Sequence, residues 1–149
     1  MNFRSSLLAV VATAVLSASA AMADWKTDFE TAKTEAKKDK KLIVMNFTGS
    51  DWCSFCVKMK KDTLDQKAFT QYADKHVVLV EVDFPAKKPQ TAALKKANKA
   101  LEAKYQIEGY PTFLVVDGEG KELARHVGYL QGGPDSFIAF IDGARHKTK

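Results

Sequence analysis

The sequence predicts an α/β fold in which helices cover one central sheet. Stretches with apolar residues at helical spacing alternate along the chain with short apolar runs that are typical of strands. The run at 42–47 is apolar except for Asn46, which suits a central strand buried on both faces. The runs at 113–116 and 122–127 flank a glycine-rich turn and predict a β-hairpin. The predicted order is α-β-α-(α)-β-α-β-β-α.

The first half of the chain supplies three helices and two strands. The first predicted helix has Asp24 as its N-cap. Its apolar residues recur at helical spacing and are Trp25, Phe29, Ala32 and Ala36. After the central strand, a helix is predicted from the cysteines to about residue 61, then a short one at 65–73. The next strand is predicted at 77–82.

The second half begins with a proline-containing break at 84–89. The helix that follows is predicted to present one apolar face, formed by Leu94, Ala97, Leu101 and Tyr105. After the hairpin, Gly132 and Gly133 open a final helix with Pro134 near its first position. Its inward side chains are predicted to be Phe137, Ile138, Phe140 and Ile141.

The chemistry of the chain is indicated by its only two cysteines, Cys53 and Cys56, at the predicted start of the second helix. Thiols at this spacing can close a small disulfide ring, and the helix N-terminus favours a thiolate on the first of them. Cys53 is therefore the candidate nucleophile and is expected to be the more exposed. Cys56 would attack the mixed disulfide that Cys53 forms. A structural disulfide or half of a zinc site remains open at this point.

The surrounding motifs resemble the thioredoxin superfamily. Trp52 precedes the cysteines, Gly-Tyr-Pro-Thr at 109–112 precedes the next strand, and Gly128 follows the hairpin, all in the order and spacing of that family. The resemblance extends from Trp25 to the end of the chain. The form Phe-Thr-Gly-Ser-Asp-Trp-Cys at 47–53 is similar to exported thioredoxin-like domains, including those related to the C-terminal domain of the disulfide reductase DsbD. It implies a thioredoxin-like fold with a central mixed β-sheet.

This resemblance also implies a substrate-binding surface around the cysteines. Trp52 would form part of its apolar rim, and Tyr110 and Phe55 would add apolar contact area, although each could simply cover the core. The proline equivalent to Pro111 is cis in the family, whereas most X–Pro bonds are trans. A cis bond would turn the backbone of Tyr110 toward the cysteines, where it could pair with an extended substrate.

Two departures from the thioredoxin pattern affect the expected mechanism. Asn46 stands where thioredoxins carry a buried aspartate, and the partner lysine is replaced by an apolar residue near Leu79. The thiol of Cys56 is therefore expected to lose its proton to water, the Cys53 environment or a lysine such as Lys60. The dipeptide between the cysteines, Ser-Phe, matches neither reductants nor strong oxidants of the family, so the direction of electron flow stays open.

The first 23 residues have the pattern of a secretory signal peptide. One positive charge at Arg4 precedes a short apolar core at 7–16, and Ala-Met-Ala at 21–23 predicts cleavage before Asp24. The core is too short for a stable membrane span, and no later segment is longer. The prediction is a thioredoxin-like domain at 24–149 that is soluble in a bacterial periplasm, without membrane insertion after cleavage.

Composition argues against several other classes of protein. Cleavage would remove only the charge of Arg4 and lower the formal net charge from +5 to +4. The lysines are dispersed in groups at 37–41, 58–61, 87–88 and 95–96, as on a solvated helical surface. A nucleic-acid partner would need a basic stripe interleaved with aromatic residues or glycines. The scattered residues His76, His126 and His146 predict no metal site, and nothing indicates a cofactor.

The sequence thus predicts an exported thiol–disulfide oxidoreductase that exchanges a Cys53–Cys56 disulfide with cysteines of other proteins. Reduction or isomerisation is preferred to oxidation, because no oxidant-type histidine lies between the cysteines. An upstream redox protein would restore its working state. The alternative is a binding or assembly module of the same fold whose cysteines are structural or bind a metal.

Overall fold

The computed structural model describes residues 24–148, and the predicted signal segment at 1–23 lies outside the described residues. Five strands form one sheet and are β1 (Trp25–Lys26), β2 (Leu42–Thr48), β3 (Val77–Asp83), β4 (Thr112–Val116) and β5 (Glu122–Val127). Their order across the sheet is β1-β3-β2-β4-β5. β2 is parallel to β3 and antiparallel to β4, and β4 and β5 form an antiparallel hairpin. The predicted mixed sheet is confirmed.

Helices lie on both faces of this sheet. They are α1 (Phe29–Asp39), α2 (Ser54–Met59), α3 (Lys67–His76), α4 (Ala92–Lys104) and α5 (Gly133–Arg145). α2 continues directly into a π-helical turn at Lys60–Leu64, and a 3-10 turn at His146–Thr148 follows α5. Among residues 24–148, no helix has both the length and the apolarity that a membrane span requires.

Alternation along the buried strand β2 separates two core layers. Ile43, Met45 and Phe47 pack in the layer that contains Phe29 of α1. Val44, from the opposite face, packs in the layer that contains Met59, Phe69 and Phe137, from α2, α3 and α5. Residues at even positions of β2, including Asn46, therefore face the layer that carries the cysteines.

The predicted start of the first helix is wrong. Trp25 belongs to β1, where it pairs with Leu79 of β3, so it is not a residue of α1. The N-cap is Asp28 and not Asp24, since the Asp28 side chain accepts a hydrogen bond from the Thr31 N–H at 2.7 Å. Trp25 and Phe29 lie one helical turn apart in sequence, which made a strand of two residues look like part of the helix.

The predictions for two other helices need correction in part. The short helix predicted at 65–73 begins at Lys67 and ends at His76. In α4 the buried residue is Asn98, while Ala97 is exposed and Leu101 is partly buried. The Asn98 amide donates to the main-chain oxygen of Asp83 at 2.9 Å. Leu101 and Tyr105 of the predicted apolar face do pack in the core layer that contains Phe29, whereas Ala97 does not.

Candidate active site

Cys53 and Cys56 are joined by a disulfide bond at the N-terminus of α2. Cys53 is the N-cap residue of this helix, and its Sγ accepts a hydrogen bond from the Cys56 N–H at 3.2 Å. In the reduced protein the same sulfur would be a thiol or thiolate, and the helix N-terminus would stabilise its negative charge. The exposed fractions of Cys53 and Cys56 are 8% and 5%, so the predicted difference in exposure is small in the oxidised state.

The segment before β4 lies against the disulfide. The Tyr110 main-chain oxygen is 3.7 Å from Cys53 Sγ, and the Tyr110–Pro111 peptide bond is cis. Pro111 is buried, and its own main-chain oxygen accepts a hydrogen bond from Gly128 N–H at 2.7 Å. This bond ties the proline segment to the end of the hairpin. The sequence-predicted residues Pro111 and Tyr110 therefore do lie beside Cys53.

Trp52 forms one side of the surface around the cysteines and is 52% exposed. Its Nε1 donates to the main-chain oxygen of Phe84 at 2.8 Å, and its ring meets that of Tyr110 edge to face at 5.9 Å. Phe55, between the cysteines, is 59% exposed. Apolar side chains therefore flank the disulfide in the positions predicted for a substrate rim.

The side chain of Tyr110 is partly buried and packs against the protein itself. Its ring stacks on Phe84 at 5.2 Å, and its hydroxyl donates to Glu102. Burial, reinforced by the Glu102 carboxylate, raises the pKa of Tyr110 well above its usual range. The hydroxyl thus stays protonated and anchors the segment, which leaves the Tyr110 backbone as the part that faces Cys53.

The loop that carries Trp52 is fastened to the residues after β3. The Asp51 carboxylate accepts hydrogen bonds from three successive backbone N–H groups, those of Ala86, Lys87 and Lys88, at 2.7–2.8 Å. These bonds, the one from Ala86 foremost, hold the pKa of Asp51 below its usual value of 3.8. Asp83 in turn accepts from the N–H and hydroxyl of Ser50 at 2.9 and 2.5 Å. These anchors were not predicted from the sequence.

Beneath the cysteines, the register of β2 and β3 differs from the expectation based on the thioredoxin pattern. The β3 residue paired with Asn46 is Glu81, whereas Leu79 pairs with Val44. An acidic residue thus lies next to Asn46, on the face of the sheet that carries α2. A single acid within the apolar run at 77–82 was the available sequence signal. Within residues 24–148, no cluster of three or more His, Cys, Asp or Glu side chains could hold a metal ion.

Comparison with known proteins agrees with this geometry. A family model for the thioredoxin-like domain matches residues 29–144. The chain is 38% identical over 125 residues to the disulfide bond reductase DsbH of Chlamydia pneumoniae, across 84% of this chain and 74% of that protein.

Solved structures give the same result. A structure of a DsbH oxidoreductase matches with a TM-score of 0.78 and 34% identity, over 93% of this chain and 94% of that one. The reduced C-terminal domain of DsbD from Neisseria meningitidis matches with a TM-score of 0.60 and 27% identity, over 78% and 94% of the two chains. With its paired cysteines at a helix N-terminus, the chain belongs to the thioredoxin-like domain family and is a thiol–disulfide oxidoreductase of the thioredoxin superfamily.

Proposed function

We propose that this chain is an exported reductase of protein disulfides, with Cys53 as nucleophile and Cys56 as resolving cysteine. The observation that carries the proposal is the position of Cys53 Sγ, which caps α2 and accepts the Cys56 N–H. A thiolate at that position would be stabilised at neutral pH and would face the outside of the fold. Cys56 lies one turn deeper in the same helix.

The proposed reaction moves two electrons to the substrate. The Cys53 thiolate attacks one sulfur of a substrate disulfide, which forms a mixed disulfide and releases the other sulfur as a thiolate that takes up a proton. Cys56 loses its proton and attacks Cys53 Sγ. The Cys53–Cys56 disulfide forms, and the second substrate sulfur leaves as a thiol. An upstream redox protein must then return two electrons to the pair before the next cycle.

Substrate binding is proposed to use the backbone of Tyr110 and the apolar side chains of Trp52 and Phe55. An extended chain beside Tyr110 would pair with its main chain and place a disulfide next to Cys53. Backbone pairing reads the shape of the chain more than its sequence. We therefore expect the protein to accept many unfolded or flexible clients.

The reducing direction is supported by two observations. The relative from Chlamydia pneumoniae is named a disulfide bond reductase. The Ser-Phe dipeptide between the cysteines also lacks the histidine found there in strong oxidants. We expect the reduction potential to lie nearer to the value of thioredoxin, about −270 mV, than to that of DsbA, about −120 mV. Equilibration with glutathione or dithiothreitol buffers measures it directly.

Export is proposed from the leader sequence at 1–23, with a mature domain that starts at Asp24 in the periplasm. The charged start, the short apolar core and Ala-Met-Ala before Asp24 support this location. Intact mass of the periplasmic protein tests the cleavage site. A membrane-bound product that retains residues 1–23 would contradict export.

The roles of the two cysteines predict which variant traps clients. Cys56→Ser should accumulate mixed disulfides through Cys53, because the resolving thiol is missing. Cys53→Ser should not, because Cys56 lies inside α2 and lacks the N-cap position that stabilises a thiolate on Cys53. Pull-down under thiol-blocking conditions, followed by non-reducing electrophoresis, measures trapping. Equal trapping by both variants, or faster alkylation of Cys56 than of Cys53, would reverse the assignment.

Reduction of insulin disulfides by the wild-type protein, measured together with the metal content of the purified protein, separates this function from a structural or metal-binding role. Reductase activity with no bound metal supports the proposal. An inactive protein with stoichiometric zinc would contradict it.

A further inference from the structure

A small cavity of about 20 Å³ lies against Cys56, between α2 and the sheet. Its walls include Cys56 from α2, Asn46 from β2, Glu81 from β3 and Lys60 from the π-helical turn. A cavity needs about 10–15 Å³ to hold one water molecule, together with two or more polar partners. This cavity is large enough, and polar groups face it from each of these elements.

Asn46 supplies one of those polar groups. The residue is only 6% exposed, and its Oδ1 is buried without a hydrogen-bond partner among residues 24–148. A buried acceptor left unpaired costs free energy, so such atoms in native proteins normally bind another group or an ordered water. The unpaired oxygen of Asn46 is therefore a natural anchor for one water in the cavity.

Glu81 supplies the other group. It pairs in register with Asn46 on the neighbouring strand, so both side chains are on the same face of the sheet. Among residues 24–148, its carboxylate makes no direct hydrogen bond or ion pair, although it is only partly exposed. A carboxylate in this setting has free lone pairs toward the cavity that Cys56 also lines.

Resolution of the mixed disulfide requires a base. Cys56 must lose its proton before its sulfur can attack, and an amide such as Asn46 cannot accept that proton. Lys60, although it lines the same cavity, carries an ammonium group that is ion-paired with Asp65 and has no lone pair to offer. Of the groups around the cavity, only the Glu81 carboxylate can accept a proton readily near neutral pH.

We propose that Glu81 is the proton acceptor for Cys56, through one water held between them by Asn46 Oδ1. As the Cys56 S–H bond breaks, its proton passes to the water, and a proton of the water passes to the Glu81 carboxylate. The sulfur electron pair forms the bond to Cys53 while the bond from Cys53 to the substrate sulfur breaks. Glu81 then returns its proton to solvent. This inference rests on the proposed function and adds a residue to its second step.

The electrostatics of Glu81 suit this role. Burial, and then the nearby Asp83 charge, raises the pKa of Glu81 above its usual 4.5, whereas Lys60 and Lys88 oppose the rise. A raised pKa makes the carboxylate a stronger base than a free glutamate. Glu81 can act only when it is ionised, so the resolving rate should fall on acidification through this raised pKa. At higher pH the rate should rise again as the Cys56 thiol itself titrates.

Single-turnover kinetics with a saturating disulfide peptide isolate the resolving step, since attack by Cys53 then no longer limits the rate. Acid quenching and mass-tagged alkylation measure the mixed disulfide directly. Glu81→Gln should slow its decay at pH 7 on the order of 100-fold, the low end of general base catalysis, and should remove the acid limb of the profile. The attack rate at low substrate concentration should not change. Glu119→Gln, the same change at an exposed turn, should match the wild type.

Three outcomes would overturn the inference: a wild-type profile with a single thiol titration, an unchanged resolving rate in Glu81→Gln, or equal slowing of attack and resolution. Glu81→Asp should restore part of the rate, which a merely structural role would not predict. Asn46→Leu, which removes the water anchor and keeps Glu81, should also slow resolution. If it does not, the relay through water is wrong.

Misfolding and failure of the proposed function have different signatures. Burial disfavours the ionised Glu81 carboxylate in the folded state. The free energy of unfolding should therefore decrease as pH rises through the range in which this glutamate ionises. Glu81→Gln should therefore be at least as stable as the wild type at pH 7, and thermal melts check this. Loss of insulin reduction and of Cys56→Ser trapping in otherwise native protein would instead refute the reductase function itself.

Discussion

Gly49, which has no side chain, determines how the loop before the disulfide packs. At Gly49 an added Cβ would lie 2.4 Å from Cε2 of the Trp52 ring. This distance is shorter than the contacts that Cβ atoms make in real proteins, so the ring would have to move. The Gly49 main-chain oxygen also accepts the Cys53 N–H at 2.9 Å. The glycine thus allows the indole to lie flat against the loop while the loop holds Cys53 at the start of α2.

Gly49→Ala should therefore displace Trp52 and destabilise the protein by about 1–3 kcal/mol, since the ring must move and its bond to the Phe84 oxygen is lost. Denaturant unfolding measures the loss, and near-ultraviolet circular dichroism reports the displaced indole. Gly143→Ala is the matched control, because a Cβ there meets nothing within 4 Å and the position is in α5. It should be neutral or stabilise the helix slightly. Equal behaviour of the two variants would contradict this account.

At this scale, the sequence predicted which residues surround the disulfide but not which lie beneath it. Trp52 and Pro111 were recognisable because their motifs are local in sequence. Glu81 was not, because its meeting with Asn46 depends on the register between two strands that are far apart in the chain. Register comes from the whole sheet and is not encoded within either strand.

At the scale of elements, the site depends on a clamp between the cysteine loop and the segment after β3. Asp51 accepts three backbone N–H groups, and Asp83 accepts two hydrogen bonds from Ser50. Trp52 adds its bond to Phe84. Two loops without regular structure thereby hold each other in place beside α2.

Asp51→Asn should loosen this clamp and lower the melting temperature at pH 7, because a neutral amide has one acceptor oxygen where the carboxylate has two. The folded pKa of Asp51 is depressed, so its stabilising effect is present above the unfolded value near 3.8 and is lost as pH falls through the folded value. Melts at pH 7 and pH 3 should show the gap between variant and wild type closing at low pH. Asp74→Asn, an exposed carboxylate in α3, provides the control. A constant gap would rule out the charged clamp.

Elements marked by a clear pattern of apolar residues or turn residues were predictable from the sequence, and elements without such a pattern were not. The strand at 42–47 and the hairpin were located because continuous apolar runs and a glycine-rich turn identify them. β1 has two residues and thus no period to detect. The π-helical turn after α2 could not be foreseen either, because it differs from an α-helix only in its hydrogen-bond pattern.

For the molecule as a whole, we expect stability and the proposed substrate contact to come from different aromatic residues. Phe137 is fully buried and meets Phe69 and Phe113 at 5.3 and 4.9 Å between ring centres. Phe55, by contrast, is 59% exposed beside the disulfide. One ring thus joins α3, α5 and the sheet, and the other is available to a partner.

Phe137→Ala should cost about 3–5 kcal/mol of unfolding free energy, because it leaves a cavity among packed rings. Phe55→Ala should change stability by less than about 0.5 kcal/mol and raise the KM for protein disulfides, since only contact with the client is removed. Guanidinium unfolding and insulin reduction measure the two effects. A large stability loss in Phe55→Ala, or none in Phe137→Ala, would contradict this division.

The two edges of the sheet bear on how the protein behaves among misfolded chains. β1 offers an edge of only two residues, and β5 carries the exposed charged side chains of Glu122 and Arg125. Short or charged edges are poor templates for a further strand, and such edges limit aggregation. We therefore expect the protein to stay monodisperse when mixed with aggregating clients, because neither edge would recruit it into their deposits.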